Sequence, residues 1–160
     1  MSDPAISKAA TEAGRAPVVG GRISRKFRDL AEKGELGLIA YITAGDPSLD
    51  ATEKIVLAAA EAGADVIELG VPFSDPVADG PTIQRASERA LRAGTTLASV
   101  LDLVRRLRSH TDVPLVLFSY FNPILQMGLE KFGEAVAAAG ATNRGDEIRH
   151  AGISPRDRAQ

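Results

Sequence analysis

Asp65-Val-Ile-Glu-Leu-Gly-Val-Pro-Phe-Ser-Asp-Pro-Val-Ala-Asp-Gly-Pro81 is the stretch that decides the fold. It begins with a short apolar run, Asp65–Leu69, interrupted by one carboxylate, Glu68. A long loop rich in Gly, Pro and Asp follows, Gly70–Gly80, and Pro81 then stands where a helix opens, because its missing N–H costs nothing in a first turn. Strand, loop and helix in that order make half of a crossover unit, the building block of parallel sheets.

The same alternation continues in both directions. Upstream, Ile23, Phe27 and Leu30 have helical spacing, with Gly34 as the stop. Leu36-Gly-Leu-Ile-Ala-Tyr-Ile-Thr43 is apolar on both faces, as a strand buried on both sides reads. A loop, Ala44–Ser48, leads to a helix over about Leu49–Ala62, for which Asp50 and Glu53 suggest a capping box and Gly63 the end. Downstream of Pro81, a helix runs to about Ala93, and Thr95 or Thr96 caps another that carries Leu97, Val100, Leu101, Val104 and Leu107 on one stripe. Val113–Tyr120 reads as a third strand, Phe121–Gly128 as a loop, and Leu129–Ala139 as an Ala-rich helix closed by Gly140. The predicted order is α-β-α-β-α-α-β-α, an α/β chain whose three strands form a parallel sheet, either open or part of a closed barrel.

Residues 1–21 are small and polar and read as a flexible N-terminal arm. After Gly140 a fourth strand is due, but residues 141–160 bring Arg144, Asp146, Glu147, Arg149, Arg156, Asp157 and Arg158 instead. That segment reads as an irregular polar tail with at most a helical turn near Glu147–Ala151. A truncated or shifted reading frame would explain so abrupt a loss of pattern.

Composition narrows the function. The 160 residues carry 19 Lys+Arg against 21 Asp+Glu, a net charge of −2 without a basic block, which argues against nucleic acid as a partner. With no Cys and only His110 and His150, thiolate catalysis and a Cys- or His-rich metal site are excluded. Leu36–Thr43 is too short to span a bilayer, and no apolar stretch near Met1 resembles a signal peptide, so a cytoplasmic protein with no membrane role is expected. No Walker loop or dinucleotide glycine pattern follows a strand, so a bound nucleotide is not expected.

In parallel α/β proteins the site forms on the loops after the strands. Alternation puts Val66 and Glu68 on one face of their strand and Ile67 and Leu69 on the other. A carboxylate near the end of a doubly buried strand costs several kcal/mol unless it is paired or used. Burial there would favour its protonated form, which suits a general acid. A structural bond to a neighbouring Lys, Arg or backbone amide is the equal alternative. Asp75 precedes Pro, Asp79 precedes Gly and Asp46 precedes Pro, all ordinary turn positions. Tyr41 and Tyr120 end the first and third strands, and Phe118 shares a face with Tyr120; these aromatics could wall a planar ligand or simply be core.

Tyr41-Ile-Thr-Ala-Gly-Asp-Pro47, Asp65–Gln84 and Ser119-Tyr-Phe-Asn-Pro123 together closely resemble the tryptophan synthase alpha family, continuously from about Arg22 to Gly140. The resemblance implies the N-terminal part, residues 22–140, of a (β/α)8 TIM barrel. It implies a lyase that cleaves indole-glycerol phosphate to indole and glyceraldehyde 3-phosphate in tryptophan biosynthesis. No metal or organic cofactor of its own is implied; the pyridoxal phosphate belongs to a partner beta chain in an α2β2 assembly. By the same resemblance Glu68 is the catalytic acid/base and Asp79 its catalytic partner. Tyr41, Phe118 and Tyr120 would line the indole pocket, and Pro72, Asp75 and Asn122 would meet the beta chain.

The departure from the family is the missing later strands, which carry phosphate sites in such barrels, so no residue here is assigned to the phosphate and little or no turnover is expected of this short chain. Three strands without closure also leave parallel edges and an apolar lumen face uncovered, which predicts marginal stability or association. The implied alternative is a non-catalytic fragment that binds the beta chain. Another phosphosugar barrel enzyme is the third possibility.

Overall fold

The computed structural model describes residues 21–141. All but the innermost residue of the predicted arm and of the predicted tail therefore lie outside the described residues, as does the turn expected near Glu147–Ala151. The elements in order are α1 (Arg22–Lys33), β1 (Ile39–Thr43), α2 (Leu49–Glu61), β2 (Val66–Gly70), α3 (Pro81–Arg92), α4 (Leu97–Arg108), β3 (Leu115–Phe118), α5 (Phe121–Met127) and α6 (Leu129–Ala139). The strands form one parallel sheet in the order β1-β2-β3.

Local chemistry accounts for most of the boundaries. Helices α1 and α6 end on Gly34 and Gly140, whose φ angles of 68° and 73° lie in the left-handed region that side chains other than glycine avoid. Pro81 begins α3 as expected. Thr96 caps α4, accepting from the Ser99 N–H while the Ser99 hydroxyl accepts from the Thr96 N–H, so two orphan donors are satisfied at once.

Four expectations need correction. Strand β3 runs only over Leu115–Phe118, the span in register with β2, so Tyr120, expected to end it, instead precedes α5. The cap of α2 is Ser48, which accepts from the Ala51 N–H, and Asp50 sits in the first turn instead. Strand β1 starts at Ile39, because Leu36 and Leu38 extend beyond the register with β2 and are exposed. The segment after β3 is a two-turn helix, α5, not a loop; Pro123 lies within its first turn, where no N–H is needed.

Helices cover one face of the sheet. Ile67, Leu69 and Leu115 on that face are fully buried against Val56 of α2, Leu101, Leu103, Val104 and Leu107 of α4, and Val136 and Ala139 of α6. Each large side chain so enclosed contributes roughly 1.5–3 kcal/mol. The opposite face carries Ile39, Tyr41 and Thr43 from β1, Val66, Glu68 and Gly70 from β2, and Val116 and Phe118 from β3. It stays partly open, with Ile39 at 48% and Phe118 at 51% of full exposure. A second, smaller cluster of Ala44, Val71 and Val100 lies where the strands end, beneath the loops that carry the candidate site.

Candidate active site

The parallel register sets Tyr41, Glu68 and Val116 abreast on the open face, one from each strand. Glu68 is half-buried rather than enclosed, because only one face of the sheet is covered. Among the described residues no Lys, Arg or backbone amide bonds its carboxylate. The structural alternative therefore finds no partner for Glu68 among the described residues. Other carboxylates of the chain behave differently. Asp46 takes a two-pronged bond from Arg89 at 2.8 and 2.7 Å, and Asp65 pairs with Lys26 while accepting the Leu38 N–H. Arg89 accordingly holds the Asp46 carboxyl below its ordinary range.

Tyr41 leans from β1 across β2, and its hydroxyl end rests on Gly70. A Cβ at that glycine would stand 2.5 Å from the tyrosine Cζ, so no larger residue fits beneath the ring. Phe118 meets the same ring edge-on, with centroids 5.9 Å apart. The phenol is pushed up in pKa, chiefly by burial of its hydroxyl end; a hydrogen bond with Thr43 opposes this, and the negative charges of Asp79 and Glu68 add to it. Both carboxylates thus act on one phenol that stays un-ionised.

Asp79 sits at the end of a tight turn, half-buried, in the loop between β2 and α3. The turn is closed by the Asp79 N–H donating to the Pro76 carbonyl at 3.1 Å. Its backbone is held from two sides: Gln84 Nε2 donates to the Asp79 carbonyl at 2.9 Å, and the Ala78 N–H donates to the Tyr120 hydroxyl at 3.0 Å. Tyr120 does not pack on Phe118; its ring stacks on Phe73 with centroids 5.0 Å apart. Asp75, on the loop after β2, and Asn122, in the first turn of α5, are both exposed, whereas Pro72 is buried.

Sequence reasoning missed Gln84, Phe73, Gly70 and Arg89. Gln84 alone carried a signal, since the first turn of a helix can reach back to the loop before it. The others depend on contacts between distant segments. A cavity of about 410 Å³ lined by Arg22, Arg25, Lys26, Asp29, Asp112 and Pro114 lies at the other end of the sheet, before β3 begins, and holds none of these residues. Among the described residues no group of three His, Asp or Glu stands close enough to hold a metal ion, and no helix is long and apolar enough to cross a membrane.

Glu68 and Asp79, whose carboxylates bond no other described residue, both act on the Tyr41 phenol, and two carboxylates in different surroundings can divide proton donation from charge stabilisation. Comparison with known proteins gives that arrangement a family. Residues 27–143 match the family model described as tryptophan synthase alpha chain. The chain is 60% identical over 119 residues to the tryptophan synthase alpha chain of Citrifermentans bemidjiense, and 58% identical to that of Solibacter usitatus. Each alignment covers 74% of this chain and 45% of the relative, so the chain spans under half the length of the curated relatives it matches. Tryptophan synthase subunit alpha from Legionella pneumophila superposes with a TM-score of 0.75 at 42% identity, over 77% of this chain and 47% of that one. A tryptophan synthase structure from M. tuberculosis gives 0.72 at 38% identity, over 76% and 49%. The described fold is accordingly part of a (β/α)8 barrel, and the chain belongs to the tryptophan synthase alpha chain family.

Proposed function

We propose that this chain carries the acid–base half of a site that cleaves indole-glycerol phosphate to indole and glyceraldehyde 3-phosphate by a retro-aldol step. Glu68 in its acid form protonates the indole C3 carbon, and its resulting carboxylate takes the proton of the substrate hydroxyl as the aldehyde forms, while the electron pair of the breaking carbon–carbon bond returns to the ring and indole leaves neutral. Positive charge develops at the indole nitrogen, where ionised Asp79 stabilises it. Tyr41, Phe118 and Tyr120 flank the ring. The step needs no cofactor of its own, and the protein works in the cytoplasm beside a beta chain that holds pyridoxal phosphate, in an α2β2 assembly.

The observation that carries this is the Glu68 carboxylate, unpaired among the described residues and abreast of Tyr41 on the open face, with Asp79 acting on the same phenol. No described residue is assigned to the phosphate, so the substrate would be held by its indole end alone and turnover is expected to be slow. The test is indole release from indole-glycerol phosphate by the purified chain. Slow release that falls roughly 10²–10⁴-fold in Glu68→Gln supports the assignment. Release that is absent, or unchanged by that substitution, overturns it.

A second reading, docking on the beta chain without catalysis, is favoured by the exposed Asp75 and Asn122, whose loop and helix α5 are joined through the Ala78–Tyr120 bond. Titration against a beta chain distinguishes it, since binding without indole release is its signature.

A further inference from the structure

We infer that Gln84 and Tyr120 are positioning residues that clamp the turn before Asp79 and so aim its carboxylate. The inference rests on the proposed role of Asp79. Pro76, Val77, Ala78 and Asp79 form a knot in which the Val77 N–H donates to the Asp75 carbonyl at 2.9 Å and the Asp79 N–H to the Pro76 carbonyl at 3.1 Å. Left alone, so short a turn on a long loop would sample several geometries.

Two side chains from different elements fix it. Gln84 lies in the first turns of α3, and its Nε2 reaches back to the carbonyls of both Pro76, at 3.3 Å, and Asp79, at 2.9 Å. That one amide group spans the knot from end to end. On the other side the hydroxyl of Tyr120, the residue just before α5, accepts the Ala78 N–H, the amide immediately before Asp79. Tyr120 is itself held by its stack on Phe73, at the start of the same loop. The loop is therefore pinned near both of its ends by residues that make no bond with the Asp79 carboxylate. No described residue bonds either Asp79 carboxylate oxygen while its backbone is fixed, which is the pre-organisation that electrostatic stabilisation of a developing charge requires. Tyr120 thus does more than line a pocket, because its hydroxyl is committed to the loop.

Tyr120→Phe keeps the stacked ring and removes only the acceptor. Gln84→Met keeps the length and removes only the donor. In the purified chain, amide exchange at Ala78 is expected to quicken by about fivefold in Tyr120→Phe, as for loss of a single hydrogen bond, and exchange at Asp79 by at least as much in Gln84→Met, which loses the bonds to both Pro76 and Asp79. With a beta chain present, each variant is expected to lower kcat for indole release about tenfold with KM within twofold. Neither should lower kcat further in an Asp79→Asn background, a non-additivity that general loosening of the fold does not produce. Unchanged exchange in both variants overturns the clamp, whatever the turnover. Faster exchange with unchanged kcat overturns the positioning role. Wild-type chain that releases no indole overturns the proposed function instead, and exchange in the chain alone then decides whether the clamp exists.

Discussion

The ring of Tyr41 occupies the space that a side chain at position 70 would fill: a Cβ there would come within 2.5 Å of Cζ and 2.9 Å of Cε2 of the tyrosine. Gly70 closes β2, in register with Thr43 of β1 and Phe118 of β3, so its smallness shapes the floor of the candidate site. Gly70→Ala is expected to displace the ring and cost about 1–3 kcal/mol, as overpacking does. In a Tyr41→Ala background the same substitution should be close to neutral. Urea unfolding of the single and double variants checks both.

The Asp46–Arg89 pair ties the loop after β1 to α3, across 43 positions of sequence. Arg89 lowers the Asp46 pKa in the folded state, so the pair stabilises the fold above the carboxyl's ordinary value near 3.8 and loses that contribution as the pH falls below it. Arg89→Met is expected to lower the melting temperature modestly at pH 7, where exposure screens the pair. The difference from wild type should close as the pH drops below about 4. Melting curves at pH 7 and pH 3 check this.

Leu107 is fully buried in the cluster where α4 meets β2, β3 and α6. Leu107→Ala is expected to cost about 2–5 kcal/mol, through lost transfer energy and the cavity left behind. Thr96→Ala, which removes one cap from the same helix, should cost about 1 kcal/mol. Denaturant midpoints rank the two, and a reversed order would contradict the core assignment.

Leu36, Leu38, Ile39 and Phe118 are exposed beside β1 and β3, each of which is paired on one side only among the described residues. Such edges recruit other strands, so the purified chain is expected to associate as its concentration rises. Ile39→Lys, which places a charge on the open face of the edge strand, should weaken that association in sedimentation velocity.

Much of this architecture is legible in the residues because it is local. Gly34, Gly63 and Gly140 mark helix ends, Pro81 marks a helix start, and the Leu97–Leu107 stripe declares its buried face before any coordinate is known. Helix α5 is hidden because Phe121-Asn-Pro carries turn residues, and only the first-turn position of Pro123 makes it tolerable. Leu36 and Leu38 read as strand because apolar residues report an affinity for burial, not whether a neighbour is present to provide it. Glu68 and Asp79 are identifiable as candidates from their motif. That Glu68 bonds no described residue while Asp46 has Arg89 depends on pairings between distant segments, and spacing does not carry that information.

Gly140 carries one further consequence. Its carbonyl accepts from Arg22 at 3.3 Å and from Arg108 at 2.7 Å, and the Arg108 guanidinium also donates to the carbonyls of Thr111 and Val113. The first helix, the middle of the chain and the last helix are thus knotted at a single oxygen. Unravelling that begins at either end of the described fold must untie the same junction, so a protease attacking one end would loosen the other in step.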